Sequence, residues 1–304
     1  MTRLRPGTPG DLPGLWALLV EEVQRGERDC VPPTHALEGL GKAIDWPTRS
    51  RVVEDRDGPL AMVLVLERTT REGAVARVET AARDEAERER LLRWGIGFGL
   101  ATGAATAEVW RSKAAPDPSP ELGLIAVRPF WRMDRADLAG LPKRPLPPGY
   151  RLARRADPRL EAAVFNGAFQ RHWRFRPVQA GAGRDRPSAL SLLALGPDGA
   201  PAAIVWCSLE WYEADGRAQP VGLIEAVGTL PEHRRRGVAS ALLVEALWRL
   251  RGRGARTASL YVDALNPTGA ATLYHRLGFR IGFEYEVFEA TSTSLVTGLR
   301  RHGG

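Results

Sequence analysis

Cysteine and lysine are scarce in this 304-residue sequence, which has two cysteines (Cys30 and Cys207) and three lysines among its 43 basic residues. Two cysteines cannot build a disulfide framework or a cysteine-based metal site, so we expect neither. Arg, Asp or Glu interrupts every apolar run before it reaches the ~18 residues that a membrane-spanning helix needs. The N-terminal MTRLRPGTPGDLPGLW lacks the apolar core of a secretory signal. These absences predict a soluble cytoplasmic protein with no membrane partner and no metal.

The positive charge is confined to one half of the sequence. The net charge is +7. Residues 1–150 contain 22 basic and 22 acidic side chains, whereas residues 151–304 contain 21 and 14. The excess is almost entirely arginine, and no basic stripe with interleaved aromatic residues accompanies it beyond residues 168–177. The distribution therefore does not favour a nucleic-acid partner.

The chain is long enough for two domains, and one sequence pattern occurs twice along it. A proline-rich stretch, LPKRPLPPGY, separates the two halves as a linker. The segment that begins at Val78 aligns without gaps with the segment that begins at Thr229, at a shift of 151 residues. A repeat of this period predicts two similar α/β domains in tandem, which we place at residues 1–143 and 144–304.

In the second half, hydrophobic periodicity and turn residues predict a mixed α/β sheet flanked by helices. Asn266 is expected to be the N-cap of a late helix with Pro267 in its first turn, and Gly278 is expected to end that helix in the left-handed conformation. The other predicted elements are a hairpin turn at 195–200, a strand at 222–229, a helix at 239–250, a strand at 258–262 and closing strands at 280–290.

An arginine-rich turn, Arg234-Arg235-Arg236, leads from a predicted strand into a predicted helix. The first turn of a helix leaves backbone N–H groups unpaired and carries partial positive charge, so phosphate binds there readily. Gly237 and Ala239 are small enough to let a pyrophosphate approach those amides. Taken alone, the motif is also compatible with a solvated capping turn.

Together with a second motif downstream, this turn resembles the acetyl-CoA site of the GNAT N-acetyltransferase superfamily. The first motif matches the Arg/Gln-x-x-Gly-x-Gly/Ala loop of that family. The second matches its Asn followed by a helix that ends Tyr-x-x-x-Gly-Phe. The matching residues are Arg234, Gly237 and Ala239 in the loop, and Asn266, Tyr274, Gly278 and Phe279 in the second motif. The resemblance covers residues 149–290 strongly and implies two tandem GNAT-like domains, each with a mixed, mostly antiparallel sheet flanked by helices.

The resemblance implies acetyl-CoA as co-substrate, no metal, and transfer of the acetyl group to a primary amine of a small molecule by direct attack. Tyr274 would then protonate the leaving thiolate, with a core aromatic as its alternative role. Glu225 would act as base, directly or through a water molecule, with an edge or surface glutamate as its alternative. The expected cofactor contacts are Val227, Gly228, Thr229, Arg234, Arg235, Arg236, Gly237, Val238, Ala239, Ser240 and Asn266.

Two further expectations concern the acceptor side. Alternate residues of a strand share a face, so Glu225 is expected on the same face as Val227 and Thr229. Residues 168–177 form an aromatic and basic insert of the kind that builds acceptor pockets in this superfamily. His172 and Trp173 are its candidate substrate contacts, and a surface loop pinned by a buried Trp is the alternative. The arginines of the insert would suit an acceptor with a carboxylate or phosphate.

The front half departs from the family pattern at specific positions, which implies a degenerate copy with a structural role. Its three prolines at 116, 118 and 120 cannot lie in a helix interior. The residues that replace site positions are Ala86 for Gly237, Arg88 for Ala239, Ala74 for Glu225 and Ser119 for Tyr274.

Three alternatives stay open at the level of the sequence. The chain could be an acyl-CoA-binding regulatory module without turnover. It could be an acetyltransferase of the mycothiol synthase type, which is also a tandem GNAT, or one whose acceptor is tRNA or a partner with a basic surface. The identity of the amine, the acyl chain length, and whether the protein is a monomer or a homodimer are not determined by these patterns.

Overall fold

Two units make up the computed structural model, which describes residues 2–32, 34–118, 120–155, 157–180, 190–214 and 217–294. The first unit comprises Met1–Phe130 together with Phe283–Gly304, and the second comprises Trp131–Gly282. These units group residues by packing. Residues 1–143 and 144–304 remain our proposal for the two copies of the sequence repeat. No helix in the described part of the chain is long and apolar enough to cross a membrane.

The first unit contains a mixed sheet with helices on both faces. Its helices are α1 (Leu12–Gln24), α2 (Thr34–Ala43), α3 (Trp46–Arg49) and α4 (Glu85–Ala101). Its strands are β1 (Arg3–Pro6), β2 (Ser50–Asp55), β3 (Gly58–Thr70), β4 (Gly73–Ala82) and β5 (Thr106–Ser112), followed by part of β6 (Ile125–Arg135). The neighbours β1 to β4 pair antiparallel, and β4 pairs parallel with β5.

Alternate residues of β3 explain why both faces of this sheet are covered. Val63 lies in a core with Leu91 and Ile96 of α4, whereas Met62 lies in a separate core with Leu18 of α1. Side chains of a strand point to opposite faces in turn, so a run of apolar residues must bury both faces. The unbroken apolar run of β3 therefore places it centrally between two helical layers.

The second unit repeats this plan. Its helices are α5 (Pro158–Phe169), α6 (Val238–Gly252) and α7 (Ala270–Arg276). Its strands are β7 (Arg151–Leu152), β8 (Leu192–Leu195), β9 (Pro201–Ala214), β10 (Arg217–Thr229), β11 (Thr257–Asp263) and the first residues of β12 (Arg280–Ala290). Strands β7 to β10 pair antiparallel, and β10 pairs parallel with β11. The expected mixed, mostly antiparallel sheets with flanking helices are confirmed.

Most of the predicted local elements are also confirmed. Gly199 has a φ of +82° and donates from its N–H to the carbonyl oxygen of Gly196 at 2.9 Å, which closes the predicted hairpin turn. Helix α6 covers the predicted 239–250. Gly278 follows α7 with a φ of +85°, as expected for a left-handed helix end. One strand, β12, replaces the several closing strands that we expected.

Candidate active site

Strands β10 and β11 pair over only part of their length. The last parallel pair joins Ile224 to Leu260, although β10 continues to Thr229 and β11 to Asp263. On its other side β10 stays paired with β9 as far as Thr229. The edge of β10 after Ile224 therefore lies outside the pairing with β11, and this edge carries the predicted contacts Val227, Gly228 and Thr229.

A β-bulge lies at Glu225, where this divergence begins. Ile224 pairs with Cys207 and Ala226 with Trp206, which leaves Glu225 as the extra residue of β10. Such a bulge re-aims side chains and increases the local twist of the strand.

The bulge also changes which residues of β10 share a face. Ile224 and Val227 both pack in the core of α6, whereas Ala226 packs in the core of α5. Simple alternation therefore does not hold across Glu225, because the extra residue shifts the pattern by one position, and the expectation that Glu225 shares a face with Val227 stays a prediction.

Glu225 is exposed at the bulge. Burial, and then the negative charge of Glu225, raise the pKa of the nearby Cys207 thiol to about 12. The Cys207 thiol donates a 2.9 Å hydrogen bond to the carbonyl oxygen of Leu190. Cys207 is thus a buried, protonated thiol, and Glu225 is the solvent-accessible acid beside it.

The loop after β10 leaves the start of α6 uncovered. Gly237 is the N-cap of α6 with a φ of +83°, and no side chain caps the helix there. Arg235 also has a positive φ, at +62°. A Cβ added at Gly237 would meet no atom closer than Cγ of Pro147, at 3.9 Å. No side-chain cap therefore occupies the start of α6, and space is open beside Gly237, as an anion site requires.

The loop arginines have different roles. Arg234 donates from Nε to the carbonyl oxygen of Thr229 at 3.1 Å and from Nη2 to that of Ala168 at 3.0 Å. Its side chain ties the loop to the end of β10 and to α5. Arg235 and Arg236 are exposed, and neither forms an ion pair with a carboxylate in the described part of the chain.

Tyr274 is buried in the core of the second unit, where its ring meets that of Phe279 edge-on at 6.1 Å. Burial raises the pKa of the Tyr274 phenol well above its ordinary value. The phenol therefore keeps its proton at neutral pH and can donate it. No hydrogen bond joins its hydroxyl to another described residue, so this proton is available to a ligand.

Asn266 does not cap α7. Its Oδ1 accepts from the backbone N–H of Thr268 at 3.0 Å and from the Thr268 hydroxyl at 2.7 Å. The helix begins at Ala270, with Gly269 as its N-cap at a φ of +72°. The prediction of Asn266 as N-cap is wrong, because its side chain closes a local turn three residues before the helix.

His172 and Trp173 lie in the segment after α5. Nδ1 of His172 lies 2.9 Å from the carbonyl oxygen of Trp173, and both side chains are partly buried. The ring of His172 meets that of Phe169 edge-on at 5.9 Å. Phe169 in turn packs against β10, since a Cβ added at Gly228 would lie 3.0 Å from its Cε2. These contacts bring the base of the insert to β10 just after the bulge.

The corresponding region of the first unit is filled by its own side chains. Arg88, in the first turn of α4, is buried. It donates to Glu22 at 2.6 Å, to Glu27 at 2.6 Å and to Glu85 at 3.0 Å. The N-cap Asp84 also accepts from the N–H of Glu87 at 2.9 Å. Carboxylates of the protein thus occupy the helix start where α6 leaves open space.

The edge of β4 is filled in the same way. The last parallel pair of β4 and β5 joins Arg77 to Glu108, so β4 also extends past its pairing. Beyond this pair, the carbonyl oxygen of Ala82 accepts from Arg25 at 2.6 Å, and the N–H of Ala82 donates to Glu22 at 3.1 Å. Side chains rather than an open edge meet this part of β4.

The strand pairing corrects one correspondence between the two copies. Val75 pairs with Thr106 in the first unit, and Val221 pairs with Thr257 in the second. The strand β4 is therefore offset from the 151-residue shift that holds for the helices, because its connection to α4 is shorter. Glu79, rather than Ala74, stands in the position of Glu225. Ser119 lies outside the described residues.

Glu79 is partly buried, whereas Glu225 is exposed. Glu79 accepts a hydrogen bond from Arg77. Burial alone would raise the pKa of Glu79, but the charges of Arg77 and Arg28 outweigh burial and hold this pKa below its usual range.

One residue of the second unit that the sequence did not indicate also reaches the loop. Arg144 of the linker donates to the hydroxyl of Ser240 in the first turn of α6. Nothing in the local spacing of either residue predicts this contact, because they lie 96 positions apart.

Comparison with known proteins gives consistent results. Residues 156–279 match the Acetyltransferase (GNAT) family. The mycothiol acetyltransferase of Thermobispora bispora is 29% identical over 284 residues, which are 90% of this chain and 93% of the relative. That of Nocardia farcinica is 31% identical over 207 residues, which are 62% of this chain and 67% of the relative.

Solved structures show the same fold. A GCN5-related N-acetyltransferase from Sphaerobacter thermophilus matches with a TM-score of 0.71 at 22% identity, covering 95% of each chain. A tandem GNAT protein from the clavulanic acid biosynthesis pathway matches with a TM-score of 0.66 at 14% identity, covering 96% of this chain and 98% of its own. In the described part of the chain, no cluster of His, Cys, Asp and Glu side chains is arranged to hold a metal ion.

Proposed function

Because the chain belongs to the Acetyltransferase (GNAT) family and is an N-acetyltransferase, we propose that it transfers the acetyl group of acetyl-CoA to a primary amine of a small molecule. We place its one active site in the C-terminal copy, residues 144–304. The first copy then has a structural role.

The observation that carries this proposal is the contrast between two helix starts. At α6, the glycine N-cap leaves the first-turn amides open, and Arg235 and Arg236 have no carboxylate partner among the described residues. At α4, three carboxylates already surround Arg88. The partial positive charge of the helix start and the two arginines attract a pyrophosphate at α6. At α4 the negative charge of the carboxylates repels it.

The unpaired edge of β10 supports the same assignment. Backbone N–H and C=O groups of a strand seek partners, and those of an exposed edge accept an extended ligand as an added strand. The pantetheine arm of acetyl-CoA carries amide groups that suit such pairing. We assign Val227, Gly228 and Thr229 to this contact, and the hydroxyl of Thr229, which is shielded from solvent without a hydrogen-bond partner, lies at its end.

The loop completes the proposed cofactor site. The amides of Gly237, Val238, Ala239 and Ser240 are assigned to the pyrophosphate, with Arg235 and Arg236 supplying charge. Arg234 supports the site by holding the loop to Thr229 and Ala168. Asn266 contacts the cofactor through its amide nitrogen in this proposal, since its Oδ1 is used by Thr268.

The reaction needs a base and an acid. The neutral amine attacks the thioester carbonyl carbon, so a C–N bond forms, the C–S bond breaks, and the nitrogen loses a proton while the thiolate gains one. Glu225 is the proposed base, directly or through a water, because it is a solvent-accessible carboxylate at the bulge. Tyr274 is the proposed acid, because burial keeps its phenol protonated. His172 and Trp173 are proposed to contact the acceptor.

The relatives support a finer proposal for the acceptor. The curated relatives described above are mycothiol acetyltransferases, and one of them aligns with nearly the whole chain. We propose that this chain uses the acceptor of those enzymes. A regulatory module without turnover is not favoured, because such a module would need neither Glu225 nor Tyr274.

The experiment is a transfer assay with acetyl-CoA in which the released CoA thiol is measured. The acceptors are the one used by mycothiol acetyltransferases and a panel of unrelated primary amines. We expect acceptor-dependent thiol release, fastest with the former. Glu225→Gln should lower kcat by about 10²-fold or more, whereas Glu245→Gln, which removes an exposed ion pair with Arg249 on α6, should not. Acetyl-CoA binding without any transfer would overturn the catalytic proposal, and equal rates with all amines would overturn the acceptor.

A further inference from the structure

Arg144 places a guanidinium beside the open start of α6. The guanidinium donates to the hydroxyl of Ser240, the third residue of that helix. Arg144 is otherwise exposed, and in the described part of the chain its remaining N–H groups have no hydrogen-bond or ion-pair partner. A guanidinium has five N–H donors in a planar fork, so most of its binding capacity is unused.

The linker is held in place on both sides of Arg144. Before it, Leu141 is buried in the core of the second unit, and the indole of Trp248 donates to the carbonyl oxygen of Pro142 at 3.3 Å. After it, Leu146 packs against the same core. The position of Arg144 is therefore set by its neighbours rather than by a loose chain end.

The same linker borders the loop itself. Cγ of Pro147 lies 3.9 Å from the position of a Cβ at Gly237. The hydroxyl of Tyr150 lies 3.0 Å from Nδ1 of His233, just before the arginine-rich turn, and the two rings meet edge-on. The linker thus forms one wall of the loop, with Arg144 at the end of that wall nearest the helix.

We propose that Arg144 is a phosphate-binding residue for the CoA moiety and that it acts together with the amides of α6. This inference rests on the proposed function. In the first unit, the guanidinium of Arg88 lies at the first turn of the equivalent helix and pairs with three carboxylates. The guanidinium of Arg144 contacts the first turn of α6, but no carboxylate of the described residues pairs with it. An arginine fork that is positioned, exposed and unpaired beside free amides matches phosphate in charge and geometry.

The test compares Arg144→Ala with the parent protein by calorimetry, using CoA, 3′-dephospho-CoA and pantetheine as probes. We expect CoA to bind about tenfold more weakly to the variant, the effect of one lost charge-assisted hydrogen bond. Pantetheine, which has no phosphate, should bind the variant and the parent alike. Arg144→Lys should recover part of the affinity, and raised salt should reduce the difference between variant and parent. Lys143→Ala, the adjacent linker cation, is the matched control and should bind CoA like the parent.

The probes separate the two phosphate sources. A loss shared by CoA and 3′-dephospho-CoA assigns Arg144 to the pyrophosphate, and a loss confined to CoA assigns it to the 3′-phosphate. Either result supports the inference. Unchanged CoA affinity in Arg144→Ala, or an equal loss for pantetheine, would overturn it while leaving the proposed function intact. If the parent itself bound no CoA, the proposed function would fail and this inference with it.

Discussion

Tyr285 in β12 donates a 2.6 Å hydrogen bond from its phenol to Oδ1 of Asp29, although 256 positions separate the two residues. Both lie in the first unit, where residues 285–290 of β12 pair antiparallel with β5. Burial, and then the charge of Asp29, raises the pKa of Tyr285 above its ordinary value, so the phenol keeps its proton and the bond persists at neutral pH. Most of the last described strand therefore belongs to the sheet of the first unit.

The closing strand should be required for the stability of the first unit. Phe288 is buried in the core of α4. Phe288→Ala should cost about 3–5 kcal/mol of unfolding free energy, the usual effect of emptying such a site. Hydrogen exchange should show faster opening of β4 and β5 amides than in the parent. Phe283→Ala, at a partly exposed position of the same strand, should cost less, and equal protection of β4 and β5 in Phe288→Ala would contradict the role of this strand.

Arg88 should stabilise the first unit as the buried counter-charge of its carboxylates. Its side chain is 7% exposed and that of its partner Glu22 is 2% exposed. Arg88→Met should cost about 3–5 kcal/mol, because it leaves buried carboxylates without their counter-charge. Arg90→Met removes an exposed ion pair with Glu87 one turn away and should cost less than about 1 kcal/mol. The midpoints of thermal unfolding measure both, and a similar small shift for the two variants would argue against a buried network.

Gly237 should be needed for binding more than for folding. Gly237→Glu puts a side chain and a negative charge at the open helix start, and the positive φ adds a strain of about 1–2 kcal/mol. Gly254→Glu is the matched control, since Gly254 has a φ of +98° with open space at the other end of α6. We expect similar losses of thermal stability but loss of acetyl-CoA binding only in Gly237→Glu. Calorimetry decides this, and retained affinity would remove the loop from the cofactor site.

Tyr274 should contribute to turnover rather than to binding. Tyr274→Phe keeps the ring contact with Phe279 and removes only the hydroxyl. We expect kcat to fall by about 10²-fold or more, with the Kd for acetyl-CoA nearly unchanged. Tyr285→Phe likewise removes one phenolic hydroxyl, but in the first unit. It should lower the melting temperature without a comparable loss of kcat. Equal kcat for Tyr274→Phe and the parent would exclude Tyr274 as the acid.

The sequence by itself predicted the elements that depend on neighbouring residues. The hairpin turn at Gly199, the helix α6 and the left-handed position of Gly278 all follow from backbone preferences and periodicity within a few residues. The two motifs and their order also indicated the family. Such features are readable because each residue that determines them lies within one or two turns of the others.

Tertiary structure decided what depends on distant segments. The bulge at Glu225 exists only relative to β9, and it shifts the alternation of side chains along β10. The contact of Arg144 with Ser240 and the pairing of β12 with β5 join residues that no periodicity connects. Asn266 shows the limit even locally, because two competing turns suit the same residue types. Register and long-range packing are set by which segments bury one another, and that choice minimises the free energy of the whole chain rather than of any window within it.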